Sequence, residues 1–463
     1  MISYWKNGSV EQDQLLSNTQ TLLEFLRESK RLTGTKEGCA SGDCGACTVV
    51  LVSLDDNDGL KYEAVNSCLM PAAELDGKAL ITIEDLADGD DLHPLQQAFI
   101  DYHASQCGFC TPGFILSALA LKKHESNPDL EAIDEALGGN LCRCTGYSPI
   151  IKGVQLADCT HDRFTALEAD LIKSLKQLQN SVASVAGFHQ PRSVKALCEL
   201  KSENPDAILL SGGTDWMLRA TQGLECVETL ISTERVDVLH HMSIEGSRWL
   251  VGAAVSLSRI KDQAKASGFS ALDHLLSRFA SQQIRNRATL GGSIGNASPI
   301  GDLAPLMLAL NAELILNSVE QQRSLPLKQF FLGYKQTALK SDEVINQIHF
   351  NVDDQSQVLF EKVSKRLDDD ISAVAVATHY TLIEGRLSTL RIGLGGMAAT
   401  PVLALGVMAA FEGKSPSSIT LEQVTLALGE LTPLSDLRAS ADYRLKVCSR
   451  VIHHHLISAK ESV

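Results

Sequence analysis

Nowhere in the 463 residues does an apolar run reach the roughly 18 residues that a membrane-spanning helix needs. The opening stretch "MISYWKNGSVEQDQ" has neither the basic start nor the apolar segment of a signal peptide. These two absences predict a cytoplasmic protein with no membrane partner. Basic residues are also scarce. The formal net charge is −15, and residues 1–160 hold 11 Lys and Arg against 24 Asp and Glu. A surface of that sign repels phosphate backbones, which argues against nucleic acid as a partner. It reads either as a solvated acidic face or as an electrostatic docking surface. No tandem repeat is evident, and no nucleophile with an acid–base partner stands out, so no residue here is expected to be catalytic.

The length allows roughly three domains at about 100 to 200 residues each, and 44% apolar with 21% charged residues is ordinary for a folded chain. Residues 1–85 read as short strands around one helix. "QTLLEFLRES" spaces its leucines helically, while "CTVVLVSL" and "ALITIEDL" are β-branched and apolar. Residues 86–160 read as a helical bundle, with one helix marked by Leu95, Phe99 and Tyr102 and a second capped at Thr111-Pro112. A third runs from Asn127-Pro128-Asp129 to Gly138-Gly139, and a fourth follows "CRCTGYSPI". The stretch 161–185, including "SLKQLQNSVASVAG", is read as a linker. Glycine-rich strand–helix alternation fills 186–352, and a last unit at 353–463 holds the strands "HYTLIEG" and "LRIGLGG". "HHH" at 453–455 is read as a surface feature.

Cysteine is where the composition is unusual, because eight of the twelve fall in two groups of four within the first 150 residues. In a reducing compartment such clusters point to a metal centre or redox chemistry rather than a disulfide frame. Cys39, Cys44, Cys47 and Cys68 form C-x4-C-x2-C-x20-C, and the first three match the plant-type 2Fe-2S ferredoxin spacing. Gly38, Gly42 and Gly45 suit a loop that must wrap inorganic sulfide. A four-cysteine zinc site is the alternative, although those usually come as two short pairs. Cys107, Cys110, Cys142 and Cys144 form C-x2-C-x31-C-x-C, each pair just before a helix whose positive end favours thiolates. Alone, this second pattern equally suits a zinc knot.

The combination of "CASGDCGACTVVL", "NSCLMP", "QCGFCTPGFI" and "NLCRCTGY" resembles the iron–sulfur part of the molybdenum hydroxylases, the xanthine dehydrogenase family. The resemblance implies an α+β multidomain fold: a β-grasp 2Fe-2S ferredoxin domain, a four-helix 2Fe-2S bundle, a vanillyl-alcohol-oxidase-type FAD domain and a C-terminal α/β flavoprotein domain. All eight ligand positions are present. Gln106 matches a family glutamine close to the molybdenum cofactor of the partner domain; a polar core residue is the alternative reading.

Two glycine pairs continue the resemblance. "LLSGGTDW" and "ATLGGSIGNASPIGDLAP" are similar to the family's pyrophosphate-binding stretches, where glycines give backbone amides room to approach phosphate. Carried over position by position, Leu209, Leu210, Ser211, Gly212, Gly213, Thr214, Asp215 and Trp216 would line FAD, as would Thr289, Leu290, Gly291, Gly292 and Ser293. Phe279, Asp302, Ile345 and Lys362 match further FAD contacts; Phe279 and Ile345 could instead be ordinary core and Lys362 a solvated cation. Asp369 and Asp370 match an acidic loop near the flavin and the NAD site, or form a plain solvated loop. "GLGGMA" at 393–398 fits a Rossmann fingerprint, but Pro401 interrupts the helix that should follow and no strand-ending acid is in place, so it is not assigned to a nucleotide.

The molybdopterin-binding part of single-chain family members does not follow Val463, so the resemblance implies the small iron–sulfur and FAD subunit of a split, bacterial-type xanthine dehydrogenase. It would pair with a large molybdopterin-binding subunit as a heterotetramer of two small and two large chains. It would carry two 2Fe-2S clusters and FAD, and pass electrons to NAD+ during oxidation of xanthine and hypoxanthine to urate. The same architecture acting on aldehydes or other N-heterocycles is the alternative. A zinc-stapled interaction module and a self-contained reductase are rivals of other classes.

Overall fold

The computed structural model describes residues 1–223 and 225–458; positions 459–463 of the expected C-terminal domain lie outside the described residues. The chain divides into two compact units. One comprises Met1–Pro191, Asp206–Arg235 and Ala280–Ala288; the other comprises Arg192–Pro205, Val236–Phe279 and Thr289–Val463. Among the described residues no helix is long and apolar enough to cross a membrane.

The first unit opens with a five-stranded sheet in the order Ser9–Asp13, Ile2–Lys6, Ala79–Ile81, Thr48–Leu54, Leu60–Asn66. Ile2–Lys6 and Ala79–Ile81 run parallel and the remaining neighbours antiparallel. The run "VVLV" after Thr48 is apolar at every position because both faces of its strand are covered. Val49 and Leu51 pack with Leu22, Phe25 and Leu26 of the helical turn at 22–29, whereas Val50 and Val52 pack with Phe99, Phe114 and Val154 of the bundle. This is the expected β-grasp, with the helical domain built directly onto its second face.

The bundle helices are Pro94–Asp101, Thr111–His124, Leu130–Leu137 and Ser148–Leu156. Thr111–His124 is buried from Pro112 to Ala120, which makes it the central helix. Its N-cap is Cys110, one residue earlier than the sequence suggests, because the Thr111 hydroxyl is engaged by Ser105 Oγ at 2.8 Å.

The stretch expected to be a linker is a helix, Arg163–Leu178. Phe164, Leu171 and Leu178 recur at seven-residue spacing, Leu175 falls between the last two, and all four are buried. The many polar residues between them belong to the other face and mask the period. This helix is locked to the bundle by Asp162, which caps it through the Thr165 N–H at 2.9 Å. The same carboxylate accepts from His93 Nε2 at 3.1 Å and Lys123 Nζ at 2.5 Å. His93 in turn caps Pro94–Asp101. The unit is completed by a small parallel sheet ordered Phe188–His189, Leu230–Ser232, Ile208–Leu210.

The second unit holds a five-stranded antiparallel sheet ordered Gln322–Pro326, Glu313–Asn317, Val344–Asn351, Arg248–Gly252, Met242–Glu245. A second antiparallel sheet is ordered Ser356–Val363, Val374–Ile383, Arg386–Gly395, Val402–Leu403. Helices Leu405–Phe411, Leu421–Ala427 and Ala441–Ile457 share a core with it. "GLGGMA" starts as the end of a strand, as expected, and its glycines serve packing: a Cβ on Gly393 would lie 1.9 Å from Pro305 O. The histidine run is corrected. His455 is buried with Ile452 and Leu456 on the inner face of its helix, and its Nδ1 is 2.9 Å from Thr378 Oγ1. Burial first, and the neighbouring His454 second, push His455 down to about 4.

Burial raises the Asp162 carboxyl, but hydrogen bonds from His93, Lys123 and the Thr165 N–H outweigh it and hold the group below its ordinary value. A depressed folded-state pKa contributes stability that is complete above the unfolded value near ~4 and drains away as pH falls below it. Replacing Asp162 with Asn should therefore flatten the acid limb of a stability-versus-pH curve while costing stability at pH 7; an acid limb as steep as in the unsubstituted chain would contradict this.

Candidate functional site

The first cysteine loop is shaped by backbone that only small residues tolerate. Ala40, Gly42 and Gly45 sit in the left-handed region at φ 51°, 83° and 67°. A Cβ on Gly42 would lie 2.5 Å from Leu69 Cδ1. The loop returns so that Cys47 Sγ lies 3.3 Å from Cys68 Sγ, both buried. Asn66 Nδ2 donates to Cys47 Sγ at 3.8 Å, and the Ser41 N–H donates to Cys39 Sγ at 3.4 Å. Cys39 is held down to about 4, chiefly by the Cys44 thiol, with burial opposing and Ser41 assisting; Cys44 is pushed up in turn. Cys47 and Cys68 split the same way, Cys47 down and Cys68 up. The charge on Cys39 is felt at both buried thiols, so the four sulfurs act on one another.

The second set comes from two loops. Cys107 and Cys110 precede Thr111–His124, and Cys142 and Cys144 precede Ser148–Leu156. Their interactions cross between loops. Burial first, then Cys142, pushes Cys110 up to about 12, while sharing with Cys107 raises Cys144. Burial would raise Cys142, but the Thr145 hydroxyl at 3.2 Å and the Thr145 N–H at 3.4 Å hold it down. Gln106 is exposed beside them, so it is not a core residue.

Among the described residues no three His, Cys, Asp or Glu side chains are gathered around one point as a single-ion site would need. The sulfurs come instead in close pairs, two pairs per set. That donor chemistry fits a 2Fe-2S group, in which two irons each take two thiolates, and the N–H and O–H groups aimed at sulfur supply the hydrogen bonds that tune such a group.

In the first unit, "LLSGGTDW" runs from the end of strand Ile208–Leu210 into helix Trp216–Thr221. Leu210 is core, Leu209 is half-buried and Asp215 is exposed. Gly212 and Gly213 have φ 75° and 79°, and a Cβ on Gly212 would lie 1.7 Å from Arg287 O. Among the described residues the N–H groups of Gly212, Gly213, Thr214 and Asp215 meet no acceptor, and the buried Trp216 Nε1 has no partner. Free amides at a strand-to-helix turn fit a pyrophosphate.

In the second unit, Thr289 caps helix Leu290–Gly295 by accepting from the Gly292 N–H at 3.0 Å. The expected free amides of this stretch are engaged internally: Leu290 donates to Val255 O, Gly291 to Ala253 O and Ser293 to Thr289 O. Gly292 and Ser293 remain half-exposed.

Asp302 and Lys362, each expected to touch a ligand, meet one another at 2.8 Å, both buried. Ser372 Oγ donates to the other Asp302 oxygen, and Lys362 Nζ donates to Arg278 O at 3.2 Å. Phe279 and Ile345 are half-buried, Ile345 on strand Val344–Asn351. In the acidic loop, Asp370 accepts from the N–H groups of Arg366 and Ile371, both at 2.9 Å, and Asp369 takes a left-handed φ of 47°. Sequence reasoning missed Arg278, whose guanidinium donates to the carbonyls of Lys362 at 2.7 Å and Leu367 at 3.2 Å and so pins the base of that loop. It missed Ser372 too; a lone serine carries no signal until its partner is known.

Comparisons with known proteins agree with this arrangement module by module. Residues 7–73 match a 2Fe-2S iron–sulfur cluster binding domain and 82–155 a [2Fe-2S] binding domain. Residues 180–350 match the FAD binding domain in molybdopterin dehydrogenase, and 360–459 the CO dehydrogenase flavoprotein C-terminal domain. Xanthine dehydrogenase of Emericella nidulans is 31% identical over 477 residues, covering 89% of this chain and 35% of its own length. Xanthine dehydrogenase 1 of Arabidopsis thaliana is 34% identical, covering 76% of this chain and 31% of its own. The chain thus spans about a third of the length of these relatives. Among solved structures, a carbon monoxide dehydrogenase chain from Hydrogenophaga pseudoflava aligns at TM-score 0.55 with 27% identity, covering 59% of this chain and 96% of that one. Quinoline 2-oxidoreductase from Pseudomonas putida 86 aligns at TM-score 0.53 with 26% identity, covering 60% and 98%.

Removing one member of a buried ion pair leaves an uncompensated charge, which costs ~3–5 kcal/mol. Lys362→Met should accordingly lower the denaturant midpoint of flavin-free protein, since Asp302 would be left buried with only Ser372 beside it. A midpoint equal to that of the unsubstituted chain would show that Lys362 serves only a ligand.

Proposed function

Since this chain belongs to the molybdenum hydroxylase family, as its 2Fe-2S and FAD-binding modules, we propose that it is the electron-transfer arm of a xanthine dehydrogenase, working with a large molybdopterin-binding partner and delivering electrons to NAD+. The substrates proposed are xanthine and hypoxanthine, oxidised to urate on the partner, in an assembly of two small and two large chains. The observation that carries the reading is the joining of the two cysteine sets within one compact unit, where the Leu141 N–H, next to Cys142, donates to Cys44 O at 3.0 Å. Clusters pass single electrons, and flavin can collect two for transfer as hydride, which is the chemistry these groups supply when bound.

The residues of the chain hold and tune. Cys39, Cys44, Cys47 and Cys68 would ligate one cluster; Cys107, Cys110, Cys142 and Cys144 the other. Ser41, Asn66 and Thr145 place hydrogen-bond donors on Cys39, Cys47 and Cys142, favouring the thiolate form that ligation requires. Among the described residues the amides at 212–215 have no acceptor and offer themselves to a pyrophosphate. Lys362 and Asp302 neutralise each other and so keep a buried flavoprotein strand in place.

What favours xanthine is the share of the chain that is matched. The xanthine dehydrogenases match this chain along most of its length, whereas the carbon monoxide dehydrogenase and quinoline oxidoreductase chains match about 60% of it. The similarity to quinoline 2-oxidoreductase supports a second reading, another N-heterocycle, and aldehydes are a third substrate class.

The test begins with the purified chain. Visible absorbance bleached by dithionite is expected, with iron and no stoichiometric zinc; a colourless zinc protein ends the proposal. Co-purified with its partner, it should reduce NAD+ with xanthine faster than with quinoline or aldehydes, and the reverse order would assign the alternative. Asp369→Asn is expected to change NAD+ reduction or the flavin potential, and identical values for both would remove the acidic loop from the site.

A further inference from the structure

Three buried polar side chains from three parts of the first unit converge between the two cysteine loops. Asn140, Ser117 and Gln283 are 3%, 1% and 1% exposed, and the buried Thr48 hydroxyl also lies 3.4 Å from Asn140 Nδ2. Asn140 lies two residues before Cys142. Its Nδ2 donates to Gly45 O at 3.1 Å, and Gly45 stands between Cys44 and Cys47. Its Oδ1 accepts from Ser117 Oγ at 2.7 Å and from Gln283 Nε2 at 2.9 Å. Gln283 Nε2 also reaches Ser117 Oγ at 2.9 Å.

The directionality of these bonds matters. A carboxamide can sit either way round, but Gly45 O can only accept, so the end of Asn140 that faces it must be the N–H2 and the end facing Ser117 and Gln283 the carbonyl. The backbone leaves no slack. A Cβ on Gly45 would lie 2.4 Å from both Asn140 Nδ2 and Gly139 O, on Gly113 it would lie 2.2 Å from Gly45 O, and on Gly139 2.2 Å from Gln283 Oε1. Three glycines thus bring the loops together until only a side chain the size of Asn fits between them. A buried polar group that is satisfied in one arrangement and orphaned in any other makes that arrangement costly to leave.

We propose that Asn140, oriented by Ser117 and Gln283, is a positioning residue that sets the separation between the two iron–sulfur clusters. The proposal rests on the reading that these cysteines hold clusters. Asn140 touches neither thiolates nor substrate; it acts by clamping the Gly45 carbonyl to the loop that ends in Cys142. Gln283 brings in the segment Ala280–Ala288, which lies within the stretch 186–352 assigned from sequence to the flavin domain. The clamp therefore joins the ferredoxin-type loop, the bundle and a piece of chain from beyond both.

The deciding measurement is the magnetic interaction between the two clusters in the fully reduced, full-length chain. Each reduced 2Fe-2S centre is paramagnetic, and their dipolar splitting falls with the cube of their separation, so slight spreading of the loops is visible. Asn140→Asp keeps size and acceptor but cannot donate to Gly45 O. It should retain both clusters by iron and labile sulfide content, retain each centre's individual spectrum, and lose or shift the splitting. Ser117→Ala leaves Gln283 in place and should shift it less. Splitting in Asn140→Asp identical to that of the unsubstituted chain, with both clusters loaded, overturns the proposal. Should Asn140→Asp fail to load both, Gln283→Leu decides in its place: altered splitting supports the clamp, unaltered splitting overturns it. An unsubstituted chain without iron would overturn the cluster reading itself, and with it this inference.

Discussion

A buried ion pair between Glu74 and Arg287 holds the first unit to its arrangement. Glu74 is wholly buried just after the turn that carries Cys68, and its carboxylate meets Arg287 and accepts from Ser232 Oγ at 2.5 Å. Arg287 reaches Glu234 at 3.2 Å with its other arm, and Arg235 reaches Asp76 at 2.8 Å. Segments around residues 74, 234 and 287 are thereby tied at one point. Desolvating such charges cancels much of their attraction, so the network adds little net stability; its effect is that every alternative packing strands a buried charge. Its consequence reaches the turn at Gly212 and Gly213. The carbonyl of Arg287 lies where a Cβ on Gly212 would be, and Leu69 O lies 3.3 Å from where one on Gly213 would be. The Gly-Gly pair is needed because the arginine backbone and the turn that carries Cys68 are held against it.

Much of this was legible in the sequence, and what was not shares one physical cause. Cysteine spacing suggests ligand sets because a loop around a cluster has local rules, and within each proposed set the structure brings sulfurs into close pairs. Spacing does not say which sulfurs meet, and the crossing of Cys110 with Cys142 and of Cys107 with Cys144 emerges only when two loops from different helices are packed. Asp302 and Lys362 were each read as facing a ligand, yet sixty residues apart in sequence they face one another. His455 was misplaced because one side of a helix decides burial, and three adjacent histidines cannot all lie on the same side. The helix at 163–178 hid behind its polar face, since a narrow seven-residue stripe is a weaker signal than the broad apolar faces of the bundle.

Glycine supports a second level of reading. Gly-Gly pairs at 212–213 and 291–292 invite a phosphate interpretation, and "GLGGMA" invites the same one wrongly. What these stretches share is close approach, with different occupants: Arg287 O at Gly212, Ala253 at Gly291, Pro305 O at Gly393. Among the described residues both glycine amides of the first are without acceptors, whereas Gly291 donates to Ala253 O and Gly396 to Pro299 O, and that second property separates the proposed nucleotide turn from packing glycines. In the stretch at 289–293 the backbone donors are spent, so any contact with a nucleotide there must come from the Gly292 and Ser293 surface.

The two cysteine sets also differ in how much water reaches them. Cys47 and Cys68 are buried, while Cys107 and Cys144 are exposed beside the exposed side chains of Phe109 and Leu141. Solvent exposure and hydrogen bonding to sulfur both move the potential of an iron–sulfur centre. With Cys39 and Cys44 half-buried and Cys110 and Cys142 likewise, the first set has more, not all, of its environment fixed by this chain than the second. Along the proposed electron path, that makes the bundle loop the end whose properties depend more on the partner and the ferredoxin-type loop the end that depends on it less. A path built this way can be coupled at one end with less retuning at the other, provided the distance between the two loops stays constant when the partner is bound.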